Sequence, residues 1–197
     1  MGKGRLEAFS DGVMAVIITI MVLELHAPHS PDFSALVEEL PAFLAYVLSF
    51  VFIGIYWNNH HHMFQATEHV NGAILWANNF LLFWLSLVPF TTDWMGENHF
   101  ATIPVAVYGV VLLMCGIAYY IVQTLIIRLQ GSDSKLREVV GGDWKGKLSP
   151  ILYLAAIGLA FVTPILAELL YAAVALMWLI PDRRIERRLA EEGGEAE

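Results

Sequence analysis

Between Arg5 and Arg128 the sequence has no lysine and no arginine. Charged residues make up only 15% of the 197 positions, against 57% hydrophobic; an ordinary soluble domain is about 25% charged and about 45–50% apolar. This shortage excludes a nucleic-acid-binding surface, which needs a basic stripe. It also excludes intrinsic disorder, which needs the opposite balance. The one cysteine, Cys115, lies inside an apolar run. A disulfide scaffold is therefore excluded, and nothing is learned about redox compartment. No Gly-rich phosphate loop, nucleophile elbow or His-Glu-x-x-His string occurs. ATP-driven and hydrolytic chemistry are left without support.

What the sequence does have is long apolar blocks. They read as an all-α, polytopic membrane protein with six transmembrane helices, at about 6–26, 36–58, 71–92, 102–127, 148–163 and 165–180. The last block, Leu148–Ile180, is too long for one span and short for two, and Thr163-Pro164 divides it. Two helices of about 16 residues reach about 24 Å, against a hydrocarbon core of about 30 Å. They can cross where the bilayer thins or neighbours shelter their ends. Charge sets the count: with six spans and both termini cytoplasmic, all 11 basic residues fall on the cytoplasmic side. Five spans would put Arg183–Arg188 outside. The reading is a single six-span domain over 1–181 and a charged cytoplasmic tail over 182–197. The last seven residues of that tail hold Glu191, Glu192, Glu195 and Glu197, four of the 19 acids behind the net charge of −8. Asp11 interrupts the first apolar block and no small-x-small site follows it, so that block is read as a span and not as a cleaved signal. Leu6 stands where a myristoylation signal needs Ser or Thr.

The first span is the most informative. At 100° per residue, Val16, Thr19, Ile20 and Leu23 share one sector, with Gly12 at its edge. That face is smooth and apolar, with a single hydroxyl. Asp11 points away from it, toward neighbouring helices, since a carboxylate at membrane depth needs a partner. Simple packing or lipid contact explains the same face, with Thr19 bonded back to its own helix.

The second span ends in Tyr56-Trp57-Asn58-Asn59-His60-His61-His62-Met63-Phe64. Three adjacent histidines on a helix point in different directions, whereas ligands are usually three or four residues apart. They are read as a polar helix end with Trp57 in the interfacial belt, some of them bonded to a neighbouring span; no metal site is assigned. Asn78 and Asn79 in the third span are read as interhelical amides.

Arg5-x-x-x-Phe9-Ser10-Asp11-Gly12 at the start of the first span resembles the transmembrane protein 175 family, potassium channels of bacteria and of eukaryotic endosomes and lysosomes. The resemblance continues through Trp57-x-x-His60-His61-x-x-Phe64, Leu75-Trp76-x-Asn78 and Pro89-Phe90 with Gly96-Glu97 just after. It covers roughly the first half of the chain; the second half matches in hydrophobic pattern and length. His62 departs from it, standing where relatives tend to carry a basic residue.

The resemblance implies a homotetramer, because eukaryotic members carry two such six-span repeats and dimerise. Four first spans would line the pore. Val16 would take the place of the family's apolar constriction, with Thr19 one turn further out, Ile20 beside it and Leu23 as a second apolar ring. Arg5, Phe9, Ser10 and Asp11 would tie the first span to the second and third, with Trp57, His60 or His61, and Asn78 as partners. The implied activity is a potassium channel of modest selectivity in a cell membrane, in all expectation a bacterial inner membrane. It would carry permeant potassium and no cofactor, and it lacks the Thr-Val-Gly-Tyr-Gly filter of ordinary potassium channels. Two other readings stay open. A proton-permeable channel or ion-coupled transporter would use Asp11 and the histidines as a relay. A membrane metal or haem protein would use His60–His62.

Overall fold

A backbone in lipid can satisfy its N–H and C=O groups only within its own helix, and the apolar blocks fold accordingly. The computed structural model describes residues 2–131, 134, 136 and 144–179, and among them every regular element is helical. The order is α1 (Lys3–Leu23), α2 (Phe33–Glu38), α3 (Leu40–Gln65), α4 (Gly72–Ser86), α5 (Val88–Glu97), α6 (Thr102–Gln130), α7 (Trp144–Ala160) and α8 (Pro164–Leu179). The tail expected over 182–197 lies outside the described residues.

By length and composition, four stretches among the described residues are long and apolar enough to cross a membrane: Lys3–Leu23, Leu40–Gln65, Gly72–Glu97 and Thr102–Gln130. The helices of the last apolar block have 17 and 16 residues, about 24–26 Å at 1.5 Å per residue. Thr163 and Pro164 separate them: the Thr163 N–H bonds Leu159 O at 2.8 Å, and α8 starts on the proline.

Two boundaries differ from expectation. The helix of the second span runs on past residue 58 to Gln65, and within its Asn/His run His60 finds a side-chain partner on another helix, Asn78. The third span is not one helix over 71–92. It breaks at Leu87 and restarts as α5, with Pro89 in the first turn. Proline has no N–H to bond Leu85 O and continue the ladder of α4; within the new first turn the Thr91 and Thr92 hydroxyls donate to carbonyls at Leu87 and Val88. The helix then runs on to Glu97. A turn with left-handed His99 and Phe100 follows, closed by Phe100 N–H to Met95 O at 3.0 Å.

α1 packs against α3, α4 and α5, while α6 joins that group to α7 and α8. Close approach is bought with small residues. A Cβ on Gly96 would lie 2.7 Å from Ala42 Cα, and one on Gly109 would lie 2.8 Å from Ile157 Cγ1 and run into the Tyr171 hydroxyl. That hydroxyl donates to Val105 O at 3.2 Å, which fixes α8 against α6.

Candidate functional site

α1 has two unlike sides. Leu6, Ser10, Met14, Ile17 and Met21 are buried against the other helices. This is the i, i+4, i+7 spacing of one helical face. The opposite side faces away from the protomer: Val16 is 55% exposed and Leu23 77%, whereas neighbouring Ile17 is 3% exposed. Gly12, Thr19 and Ile20 share that outward side. The Thr19 hydroxyl donates to Val16 O at 2.8 Å. Its proton is thereby turned into the helix, and the oxygen lone pairs stay free to accept from, or ligate, whatever lies on the outward side.

Near the N-terminal end of α1 the buried face carries a hydrogen-bonded polar group. Ser10 Oγ donates to Leu6 O at 2.8 Å. It accepts from Asn78 Nδ2 at 2.9 Å, and Asn78 Oδ1 lies 2.9 Å from His60 Nε2. All three side chains are buried. Together they join α1, α4 and α3 in one neutral chain. Trp57 Nε1 donates to Asp11 Oδ1 at 3.0 Å on the exposed edge of the same contact. Its ring stacks on His61 at 6.2 Å.

The site residues expected from the sequence therefore fall into three groups. Val16, Thr19, Ile20 and Leu23 share one outward face of α1. Ser10, Asp11, Trp57, His60, His61 and Asn78 come together at its base. Arg5 and Phe9 are exposed and meet none of these within the chain: Phe9 is 55% exposed. The three histidines part company as adjacent helical residues must, and among the described residues no group of three or more His, Cys, Asp or Glu is gathered. His60 turns inward to Asn78, His61 outward to Trp57, and His62 keeps Nδ1 buried without a hydrogen bond.

Two features escape a sequence reading. Ser49 Oγ lies 2.6 Å from Thr92 Oγ1 and 2.9 Å from the Tyr108 hydroxyl, a buried polar knot between α3, α5 and α6. At the far end of α1, Glu24 and Asp93 line one small cleft with Tyr46. Both sets are scattered along the chain, so no local spacing announces them.

Residues 5–89 match the family described as Endosomal/lysosomal potassium channel TMEM175. A potassium channel of Chryseobacterium sp. (strain P1-3) is 56% identical over 191 residues, covering 97% of this chain and 100% of that one. The chain belongs to the TMEM175 family. A crystal structure of a lysosomal potassium-selective channel TMEM175 homologue from Chamaesiphon minutus superposes with a TM-score of 0.79 at 27% identity, over 90% of this chain and 96% of that one. The endosomal/lysosomal proton channel TMEM175 of Danio rerio is 36% identical over 101 residues, 45% of this chain and 19% of that one. TMEM175 proteins are ion channels and not enzymes. This member is accordingly a membrane-embedded, all-helical cation channel, and its matched segment runs from Arg5 in α1 to Pro89 in α5.

Proposed function

We propose that the chain is a potassium channel that works as a homotetramer, with four copies of α1 around a central pore. The observation that carries this reading is the outward stripe of Val16, Thr19, Ile20 and Leu23 on a helix whose other side is packed. The bacterial relative that is 56% identical is named a potassium channel, which supports potassium as the permeant ion. The arrangement has six spans with both termini cytoplasmic, in a bacterial inner membrane. The distribution of Lys and Arg favours that topology, and the bacterial relative favours that membrane.

In this pore Val16 forms an apolar ring. Such a ring offers no oxygen ligands, so an ion passes with its water only when the ring exceeds its dewetting width. Leu23 forms a second ring. Between them four Thr19 oxygens, their protons directed into the helix, partly replace lost hydration. Potassium sheds water more readily than sodium does, so a few weak ligands favour it modestly. Ser10, Asn78 and His60, with Asp11 and Trp57, hold α1 at its base, and Arg5 and Phe9 meet a neighbouring copy. The reading needs no cofactor beyond the permeant ion.

The test is potassium flux into liposomes holding the purified protein, with sodium as the comparison. Uptake that favours potassium supports the reading. Current that follows a pH gradient and ignores potassium supports a proton pathway instead, the activity named for the Danio rerio relative.

A further inference from the structure

Away from α1, the helices α3, α6, α7 and α8 enclose a cavity of about 360 Å³. A water takes about 30 Å³, so on the order of a dozen water-sized or methylene-sized groups fit. Small-molecule sites start at about 300 Å³, with mostly apolar walls and a few placed polar groups.

The walls change along the bundle axis. At the deep end stand Phe52, Gly116 and Tyr153, of which Phe52 and Tyr153 are buried. At the other end stand Asn59, Gln123 and Lys147. That second end is the one where α1 begins: Lys3 Nζ bonds Gln65 O and Gln130 Nε2 bonds Ala66 O there. Trp178, which bonds Ser149 Oγ at 2.9 Å, closes the same end. The cavity is thus apolar toward the membrane middle and polar toward the membrane surface, where Lys147 is the cation among its described lining residues.

Two observations point to an occupant. Gln123 is only 7% exposed, and its side-chain amide has no hydrogen-bond partner among the described residues. The amide opens onto the cavity rather than being sealed in the packing, so it is placed to bond what enters. Gly116 is the second. A Cβ there would lie 3.8 Å from the Tyr56 hydroxyl and 4.0 Å from Tyr153 Cε2, ordinary contact distances. No close packing demands glycine at this position; its missing side chain enlarges the cavity.

We infer that this cavity is a lipid site, which takes an acyl chain of an anionic phospholipid between α3, α6 and α7 and holds the headgroup at Gln123 and Lys147. Lys147 is exposed and forms no ion pair with the described residues. It selects the negative headgroup, and the aromatic walls accept the chain. The inference is independent of the pore reading, since none of these residues is on α1.

Native mass spectrometry of the purified protein, titrated with equal amounts of dioleoyl phosphatidylglycerol and dioleoyl phosphatidylcholine, tests it. One lysine near a headgroup favours the anionic lipid by about fivefold. The wild type is expected to show that preference, and Lys147→Gln to abolish it. Gly116→Leu fills the cavity and should remove the tightest adduct of either lipid, whereas Gly116→Ala should keep it. Retention of that adduct in a normally eluting Gly116→Leu protein overturns the site, as does equal binding of the two lipids to the wild type. If Gly116→Leu does not fold, bromine-labelled phosphatidylglycerol decides. It should quench the Trp178 emission, taken as wild type minus Trp178→Phe, more than labelled phosphatidylcholine does; equal quenching overturns the site.

Discussion

His60 Nε2 and Asn78 Oδ1 lie 2.9 Å apart, and the partners on either side fix which atom gives the proton. Leu6 O can only accept, so Ser10 donates to it. The Ser10 oxygen then accepts from the Asn78 amide nitrogen, which turns the Asn78 oxygen toward His60. The imidazole must donate. The chain of bonds has one direction, from α3 through α4 to the α1 backbone, because Ser10 has a single proton and gives it to Leu6 O.

Asn78→Asp is the sharp test of that directed chain. The carboxylate still accepts from His60 but has no proton for Ser10. It should cost about 1–3 kcal/mol and lower the melting temperature in detergent, while His60→Gln, which can still donate, should cost less. A wild-type melting temperature for Asn78→Asp would mean the chain does not hold α1.

Val16 and Ile17 are neighbours with opposite surroundings, which makes them a matched pair. On the proposed pore reading, Val16→Ala widens the apolar ring, eases wetting and raises single-channel conductance, with the melting temperature unchanged. Ile17→Ala should leave conductance nearly alone and destabilise the fold by about 2–5 kcal/mol, because it empties a packed position. The reverse pattern would shift the pore-facing phase of α1 by one residue.

Thr19 should set most of the selectivity. Its four oxygens are worth about 1–3 kcal/mol together if each is a fraction of a hydrogen bond. Thr19→Val keeps the shape and removes the oxygen, so reversal potentials in mixed potassium and sodium should lose most of the potassium preference. Thr19→Ser, which keeps the oxygen, should keep it. Wild-type selectivity in Thr19→Val would assign the preference to the apolar rings.

Arg5 and Asp11 should act on assembly. Asp11 is tied to Trp57 within the chain, whereas Arg5 is exposed without an ion pair among the described residues. Arg5→Ala should therefore weaken the oligomer while sparing the melting temperature of the protomer, and Asp11→Ala should lower both. Size exclusion coupled to light scattering reads the first quantity and thermal unfolding the second. An intact oligomer with changed ion preference in Asp11→Ala would put that carboxylate in the permeation path.

Much of α1 was legible in advance because its burial repeats with helical period. Met14, Ile17 and Met21 fall on one side and Val16, Thr19 and Leu23 on the other, and the sequence alone separates those two sides. Periodicity does not say which helix meets which side, since lipid and helix interiors are equally apolar. The partners of Ser49 show the limit. Thr92 and Tyr108 lie 43 and 59 positions away, and only tertiary packing brings the three hydroxyls together. The break at Leu87 was half visible: Pro89 marks a stop, but that the helix restarts at once and runs on to Glu97 is seen only in the structure. The extension of α3 to Gln65 was hidden for the opposite reason. A run of Asn and His reads as a helix end until His60 is seen to find Asn78. The cavity between α3, α6, α7 and α8 has no local sequence signature, because its walls come from residues as far apart as Phe52 and Trp178.

The middle of α1 carries no formal charge: from Asp11 the next ionisable side chain is Glu24. Transmembrane voltage does work on charge moved through it, about 2.3 kcal/mol per elementary charge per 100 mV. A helix whose centre is Val, Ile, Thr and Met gives the field nothing to pull on, and the formal charge nearest that centre on its N-terminal side is the Asp11 carboxylate, held by Trp57 at the base. On the proposed pore reading, voltage drives ions along this helix but finds no charge between Gly12 and Leu23 by which to move the helix itself, so the membrane potential is expected to set how fast the current runs more than whether the path is open.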